Sequence, residues 1–423
     1  MNPNWEIVRL ADAPLTILDG DRGANYPKQS DFFSNEFCLF LNAGNVTKEG
    51  FRFEECTFIT KEKDEQLRKG KLVRGDVVLT TRGTVGNVGF YSDEIEFSEI
   101  RINSGMVIIR AKSDALLPRY LYFFLRSKLF RDQVASLVSG SAQPQLPIRD
   151  LNFVEIPLPP YLDQVKICEF LGIIDDRIAS LRQTNLSLEA IAQAIFKSWF
   201  VDFDPVKAKS EGKIPKGIDE VTAALFPAAF EDSELGNIPK GWSVYSLSEA
   251  ITFRDGKTWP SSERVEYSDI PAFGANGKVG YSKNSIGMGR VIFIGKIGSC
   301  GALNFYNGKW WATNNCFYVQ QSENIYLEWC RAVILGVDYK NYIGGSSNPY
   351  MPLKNFAHHK VVKPPNNLIE AYDLFCVSIR EKIEFNEMLI VNYSDLRDTL
   401  LPRLISGQLR LPEAEAEIEA LTD

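Results

Sequence analysis

The sequence predicts an α+β protein built from two pseudo-symmetric mixed α/β units separated by a long antiparallel two-helix coiled coil. Three observations carry this: an internal repeat, a seven-residue apolar ladder after each copy, and a charge distribution that follows the same division. In the repeat, Ser139-Gly140-Ser141-Ala142-Gln143-Pro144-Gln145-Leu146-Pro147 returns as Gly344-Gly345-Ser346-Ser347-Asn348-Pro349-Tyr350-Met351-Pro352, and Pro159-Pro160 returns as Pro364-Pro365, both at an offset of 205. Upstream, the Gly-x-x-Gly-x-x-Gly run at 83–89 is echoed at 295–301, offset by 212. Trp5 and Leu10 match Trp242 and Leu247, offset by 237. A stepped offset means one architecture with loops of different length.

The domain order follows: a first unit at 1–160, a helix at 161–203, a connector at 204–237, a second unit at 238–366, a second helix at 367–407 and an acidic tail at 408–423. Within the first unit, residues 73–82, 89–91 and 105–110 are β-rich runs bounded by Gly, Asn and Ser, and 116–137 has a helical apolar face. The second unit repeats the order with strands at 289–295, 304–306 and 316–319 and a helix at 325–335. The ladder Leu171, Ile174, Ile178, Leu181, Asn185, Leu188, Ala192, Ile195, Trp199 steps by three and four, as a coiled-coil seam does. A 33-residue helix of this kind is roughly 50 Å long. Its counterpart 205 residues on includes Cys376, Ile379, Ile383, Asn386, Ile390, Tyr393, Arg397 and Leu400, with Leu404 beyond a helix-breaking Pro402. If the two stripes centre on each other in antiparallel fashion, residue i faces 571 − i, and Asn185 meets Asn386 as a helix-helix register pair. Asp204-Pro205 is expected to end the first helix, and 221–230 to hold a short helix within the connector.

Of the 423 residues, 45% are hydrophobic and 24% charged, ordinary for a globular protein. There is no apolar run of membrane-spanning length and no basic, apolar leader at Met1, so no membrane association and a cytoplasmic location are expected. The seven cysteines are scattered and never spaced as C-x-x-C, which argues against a disulfide framework or zinc knuckle. A net charge of −7 disfavours a polyanion partner at first sight. The distribution reverses this: residues 238–366 hold 14 Lys and Arg against 8 Asp and Glu, whereas 367–423 hold 5 against 12.

Catalytic constellations are hard to assemble. The glycine runs lack the Gly-Lys-Ser/Thr ending of a nucleotide loop, and act as turns or as loops whose backbone approaches a phosphate, with Arg82 and Lys296 beside them. Asn348-Pro349-Tyr350 lacks one proline of the Asn-Pro-Pro-Tyr element of amino-methyltransferases. His358 and His359 are adjacent, so on a surface strand they would point to opposite faces and hold no metal together. The first unit has no histidine, and its grouped carboxylates, Asp76, Glu94 and Glu96, have no counterpart in the second. No catalytic residue and no metal ligand are therefore assigned. What recurs is recognition chemistry: Arg82, Thr84, Asn87, Arg101, Asn103, Ser139, Ser141, Gln143 and Gln145 in the first unit, and Lys296, Ser299, Asn304, Asn314, Asn315, Ser346, Ser347, Asn348 and Lys354 in the second. Amides such as Gln143, Gln145 and Asn348 can pair with adenine edges in a DNA major groove.

Taken in order, these features resemble the DNA specificity subunit of Type I restriction-modification systems. The resemblance is carried by the two units each followed by a heptad helix, by the Gly-Ser-x-x-Pro type segment before each Pro-Pro, by Ala194-Ile195-Phe196-Lys197-Ser198-Trp199-Phe200-Val201-Asp202-Phe203, and by Leu396-Arg397-Asp398-Thr399-Leu400-Leu401-Pro402-Arg403-Leu404-Ile405-Ser406-Gly407. It covers nearly the whole chain. It implies two target recognition domains, each reading one half of a bipartite asymmetric site on double-stranded DNA, with the helix pair setting the gap. It also implies one copy per complex, docked to two methyltransferase subunits and joined by restriction subunits. The chain would then be non-catalytic and hold no cofactor, with S-adenosylmethionine, ATP and Mg on the partners of an adenine-N6 methyltransferase and ATP-dependent endonuclease. The competing expectation is a coiled-coil scaffold carrying two protein- or glycan-binding modules, or a fused nuclease or methyltransferase.

Overall fold

The computed structural model describes residues 5–112, 114–138, 144–322, 325–345 and 349–409. The chain forms two compact units, 1–182 with 388–423, and 183–387, so each takes a part of both long helices.

In the first unit an antiparallel sheet runs in the order Leu15–Asp19, Met106–Ala111, Val77–Thr80, Val88–Phe90. Its strands are apolar at consecutive positions because both faces are covered. Val77, Leu79, Val107 and Ile109 pack with Tyr120, Leu121 and Phe124, while Val78, Met106 and Ile108 pack with Leu39, Leu41 and Ile100. The expected helix at 116–137 is two helices, Pro118–Arg126 and Lys128–Ala135. Ser127 breaks it: its hydroxyl donates to the Phe124 carbonyl and accepts from the Phe130 N–H, competing with the helix bonds.

The second unit carries a seven-stranded sheet in the order Arg254–Asp255, Cys316–Gln320, Gly287–Gly295, Leu303–Ala312, Pro271–Gly274, Gly277–Ser282, Arg264–Val265. The same two-faced burial appears, with Ile292, Ile294, Phe317 and Val319 towards the helix Leu327–Leu335 and Val291, Phe293, Trp310 and Tyr318 on the other side. Each unit is closed by a two-stranded sheet of identical register. Glu6 pairs with Leu158 in the first and Ser243 with Lys363 in the second, positions related by 237 and 205.

The long helices are Tyr161–Phe200 and Asn366–Ile405, 40 residues each and 205 apart at both ends. The first stops at Phe200, before Asp204. Phe203 turns left-handed, and Asp204–Ser210 is a separate helix with Pro205 in its first turn, where no N–H is needed. Of the short helix expected at 221–230, only Glu220–Ala224 is helical. Phe230 instead begins a strand, Phe230–Ser233, that pairs with Gly236–Pro239. Pro402 does not break the second helix, which runs on to Ile405. The bond its missing N–H would make is lost. Burial of Leu400, Leu401, Leu404 and Ile405 in the core of the first unit offsets that loss.

Polar pairs join the helix segments inside each unit. In the first, Asp175 binds Arg397 at 2.8 Å and Arg126 of the helix Pro118–Arg126 at 3.2 Å. In the second, Asn386 donates to Asn185 at 2.7 Å, and Arg380 binds Glu189 at 2.7 Å and Glu328 at 3.4 Å. Burial pushes the Glu189 carboxyl up, but Arg380 and Arg331 outweigh this and hold it below the usual carboxylate range.

Candidate nucleic-acid interface

A glycine turn at the end of the central strand organises each unit. In the first, Gly83 and Gly86 have φ of +74° and +95°, left-handed values that strain any residue with a Cβ. The turn is fastened by Gly86 N–H to Thr80 O at 3.0 Å, Thr81 N–H to Gly105 O at 2.8 Å, Gly83 N–H to Pro144 O at 3.1 Å and Leu146 N–H to Thr81 O at 2.9 Å. The second unit repeats all four: Gly301 to Gly295 at 2.9 Å, Lys296 to Asn315 at 2.9 Å, Gly298 to Pro349 at 2.8 Å and Met351 to Lys296 at 2.9 Å. Gly298 and Gly301 are again left-handed, at +78° and +80°.

This corrects the alignment of the glycine runs. The equivalent residues are 215 apart, not 212, so Gly83 corresponds to Gly298 and Gly86 to Gly301. A run with glycine at every third position matches itself after a three-residue slip, and only the hydrogen bonds distinguish the two registers. Arg82 is therefore the counterpart of Ile297 rather than a partner of Lys296, whose counterpart is Thr81. Thr84 matches Ser299, and Gln145 matches Tyr350, which is 42% exposed.

The sequence-derived residues divide by what they touch. Arg82, Thr84 and Gln145 are exposed around the first turn, and Asn314, Asn315 and Lys354 are exposed in the second unit, with Ser299 and Asn304 half-buried. Arg101 is withdrawn from the interface. It is only 5% exposed and binds the Asp64 side chain at 2.5 Å together with the backbone carbonyls of Asp64, Leu67 and Lys69. Burial pushes the Asp64 carboxyl up, but Lys71 and Arg101 outweigh it and hold the group below its ordinary range. Asn87 spends its amide on the Val46 carbonyl at 2.8 Å, and Asn103 accepts from the Gly105 N–H at 2.8 Å. Both serve the turn from inside. Lys296 is also engaged, by Asp255 at 2.7 Å and by the Phe317 ring 4.8 Å away. Ser139, Ser141, Gln143, Ser346, Ser347, Asn348 and the acidic tail from residue 410 lie outside the described residues.

Two arginines were missed. Arg22 and Arg149 join Arg82 and Gln145 around a cavity of about 350 Å³. Arg22 binds Asp19 at 3.1 Å and Arg149 binds Asp150 at 3.2 Å, whereas Arg82 makes no ion pair among the described residues. No sequence pattern flags them, because the three arginines are some sixty residues apart and meet only through the strand pairing.

Among the described residues no group of three or more His, Cys, Asp and Glu is placed to hold a metal ion, and Asp76 is buried against Arg110 at 2.7 Å. His358 is exposed and His359 half-buried, and both precede the strand Lys360–Lys363 rather than lying on it. The His359 ring meets the Tyr342 hydroxyl at 3.0 Å. No helix of the described residues is long and apolar enough to cross a membrane. Fold and site thus define a protein made of one scaffold built twice, with side chains of different chemistry on matching turns.

Comparison with known proteins places it. Residues 2–190 and 239–368 match the Type I restriction modification DNA specificity domain, and the chain belongs to that family. It is 26% identical to the Type I restriction enzyme MjaIX specificity subunit of Methanocaldococcus jannaschii, over 97% of this chain and 94% of that one. It is 23% identical to the HindI specificity subunit of Haemophilus influenzae, over 92% and 98%. The crystal structure of a Type I restriction-modification S subunit from M. genitalium shares the fold, with a TM-score of 0.52 at 16% identity over 96% of both chains.

Proposed function

We propose that the chain is the sequence-reading subunit of a Type I restriction-modification complex and that each unit reads one half of a bipartite, asymmetric DNA site. The observation that carries this is the glycine turn built twice by the same four hydrogen bonds, with Arg82, Thr84 and Gln145 on one copy and Ile297, Ser299 and Tyr350 on the other. Equal scaffolds give equal placement on a duplex. Unequal side chains give unequal base preference. Arg82, Arg22 and Arg149 are suited to guanine edges or phosphates, and Gln145, Asn314 and Asn315 to adenine.

In this reading the two long helices act as an antiparallel spacer. At about 1.5 Å per residue each 40-residue helix is about 60 Å long and fixes the unread gap between half-sites. Their outward apolar residues, among them Ile173, Leu186, Leu374 and Val391, each more than half exposed, suit the docking of two methyltransferase subunits, to which restriction subunits join with one copy of this chain per complex. S-adenosylmethionine, ATP and Mg then belong to those partners, and the complex works in the cytoplasm. Partner subunits would also supply phosphate neutralisation that the first unit lacks, since residues 1–160 hold 20 Lys and Arg against 21 Asp and Glu. A scaffold with protein- or glycan-binding modules is disfavoured by the family match.

Mapping N6-methyladenine in cells that make this chain with its methyltransferase tests the reading. A split, non-palindromic motif with a fixed gap is expected. A continuous or palindromic motif would overturn it.

A further inference from the structure

The two long helices occupy equivalent places, related by a shift of 205 residues, yet their polar contacts do not obey that symmetry. The first helix supplies the carboxylates, Asp175 and Glu189, and the second supplies the arginines, Arg397 and Arg380. The side chains of all four are at least three-quarters buried. The amide pair is asymmetric too. Asn185 bonds Asn386, but the position equivalent to Asn185 is Ile390 and that equivalent to Asn386 is Leu181.

Consider what happens if two copies of the first helix pair in the register observed here. The place of Arg380 beside Glu189 is taken by Asp175, so two carboxylates meet, and the place of Asn386 beside Asn185 is taken by Leu181, which leaves the half-buried Asn185 amide against an apolar side chain. Two copies of the second helix fare no better. Arg380 then takes the place of Asp175 beside Arg397, and Asn386 faces Ile390. Like charges in contact and amides left unpaired away from water both destabilise, the buried Asn386 more than the half-buried Asn185, whereas the seam's apolar residues tolerate either pairing. Apolar matching alone would leave a duplicated chain free to exchange helices with a second copy.

We propose that Asp175, Asn185 and Glu189 on the first helix and Arg380, Asn386 and Arg397 on the second are positioning residues that admit only unlike pairing. They close each chain on itself as a single two-headed reader. The competing species they exclude is a second copy of this chain bound through like helices.

The test uses full-length variants and no DNA, so its outcome is independent of the recognition reading. One variant carries Asp175→Arg and Glu189→Arg, the second carries Arg380→Glu and Arg397→Glu, and a third carries all four. Each double variant places like charges across its own helix pair. On mixing, native mass spectrometry should show a 1:1 complex of the two, because the unlike helices now lie on different chains. The fourfold variant should be monomeric and melt above either double variant but below the parent, because Arg126, Glu328 and Arg331 then face like charges. If the double variants do not fold, the fourfold variant decides alone. Double variants that stay monomeric at the parent melting temperature, or a fourfold variant that melts no higher than they do, would overturn the proposal.

Discussion

The first and second units use the same four backbone hydrogen bonds to hold their glycine turns, yet they stabilise the surrounding side chains by different means. Where the first unit buries Arg101 against Asp64, the second places Trp311 at the equivalent strand position, 210 residues on. Where the first caps the helix Pro118–Arg126 with the neutral amide of Gln164, whose Oε1 accepts the Leu117 N–H at 2.8 Å, the second caps Leu327–Leu335 with Asp373, which accepts the N–H groups of Glu328 at 2.8 Å and Trp329 at 3.3 Å. The lesson is that backbone geometry is shared while the chemistry around it is free to differ. The proposed reading of two unlike half-sites needs that division.

The largest expected break between the units is at Arg101. Arg101→Ala should cost about 3 kcal/mol, the low end for breaking a buried pair because Lys71 still faces Asp64. Calorimetry should show the loss confined to the unfolding of the first unit. If Arg101 were instead a phosphate contact, stability would hold and only DNA affinity would fall.

Glycine substitution sharpens the comparison next. A Cβ at Gly86 meets nothing within 4 Å, whereas at Gly301 it would lie 2.8 Å from the Tyr339 ring. Gly86→Ala should therefore cost about 1 kcal/mol from backbone strain alone, and Gly301→Ala about 2–3 kcal/mol, measured by denaturant unfolding. Equal costs would mean that the two turns do not sit in the surroundings described.

The helix caps separate the units by pH. Burial pushes the Asp373 carboxyl up to about 6, despite the two N–H groups it accepts. Its folded pKa lies above the unfolded value of about 3.9, so the folded state keeps the proton longer. The stability this group contributes is present below about pH 4 and lost as pH rises through 6. Asp373→Asn should then gain about 1 kcal/mol over the parent at pH 7 and nothing at pH 4, read from melting temperatures across that range. Gln164 does not titrate, so Gln164→Ala should weaken the first unit equally at both pH values.

The smallest effect on stability, and the most direct on binding, is at Arg82. It is exposed, so Arg82→Ala should change stability by less than about 0.5 kcal/mol. If it neutralises one phosphate, the slope of log affinity against log salt should fall by about 0.9. An unchanged slope with a changed base preference would assign Arg82 to a base edge instead.

Much of this was legible in the sequence. The duplication, the two long helices and the meeting of Asn185 with Asn386 follow from apolar periodicity and a constant offset, which are local or repeated signals. The three-residue slip in the glycine runs was not, because such runs are self-similar and hydrogen bonding alone fixes their register. Arg101 read as an interface residue because nothing in the chain announces Asp64, 37 positions away, as its partner. Arg22 and Arg149 escaped for the same reason. Charge type shows in a sequence, while burial and pairing depend on strand order.

The central claim is that the units read independently from one scaffold. Methylation mapping with Gln145→Ala and, separately, Asn315→Ala tests it most directly. The account expects each substitution to relax base preference in one half of the motif, a different half for each, with the gap unchanged. Loss of preference in both halves from either single substitution would contradict it.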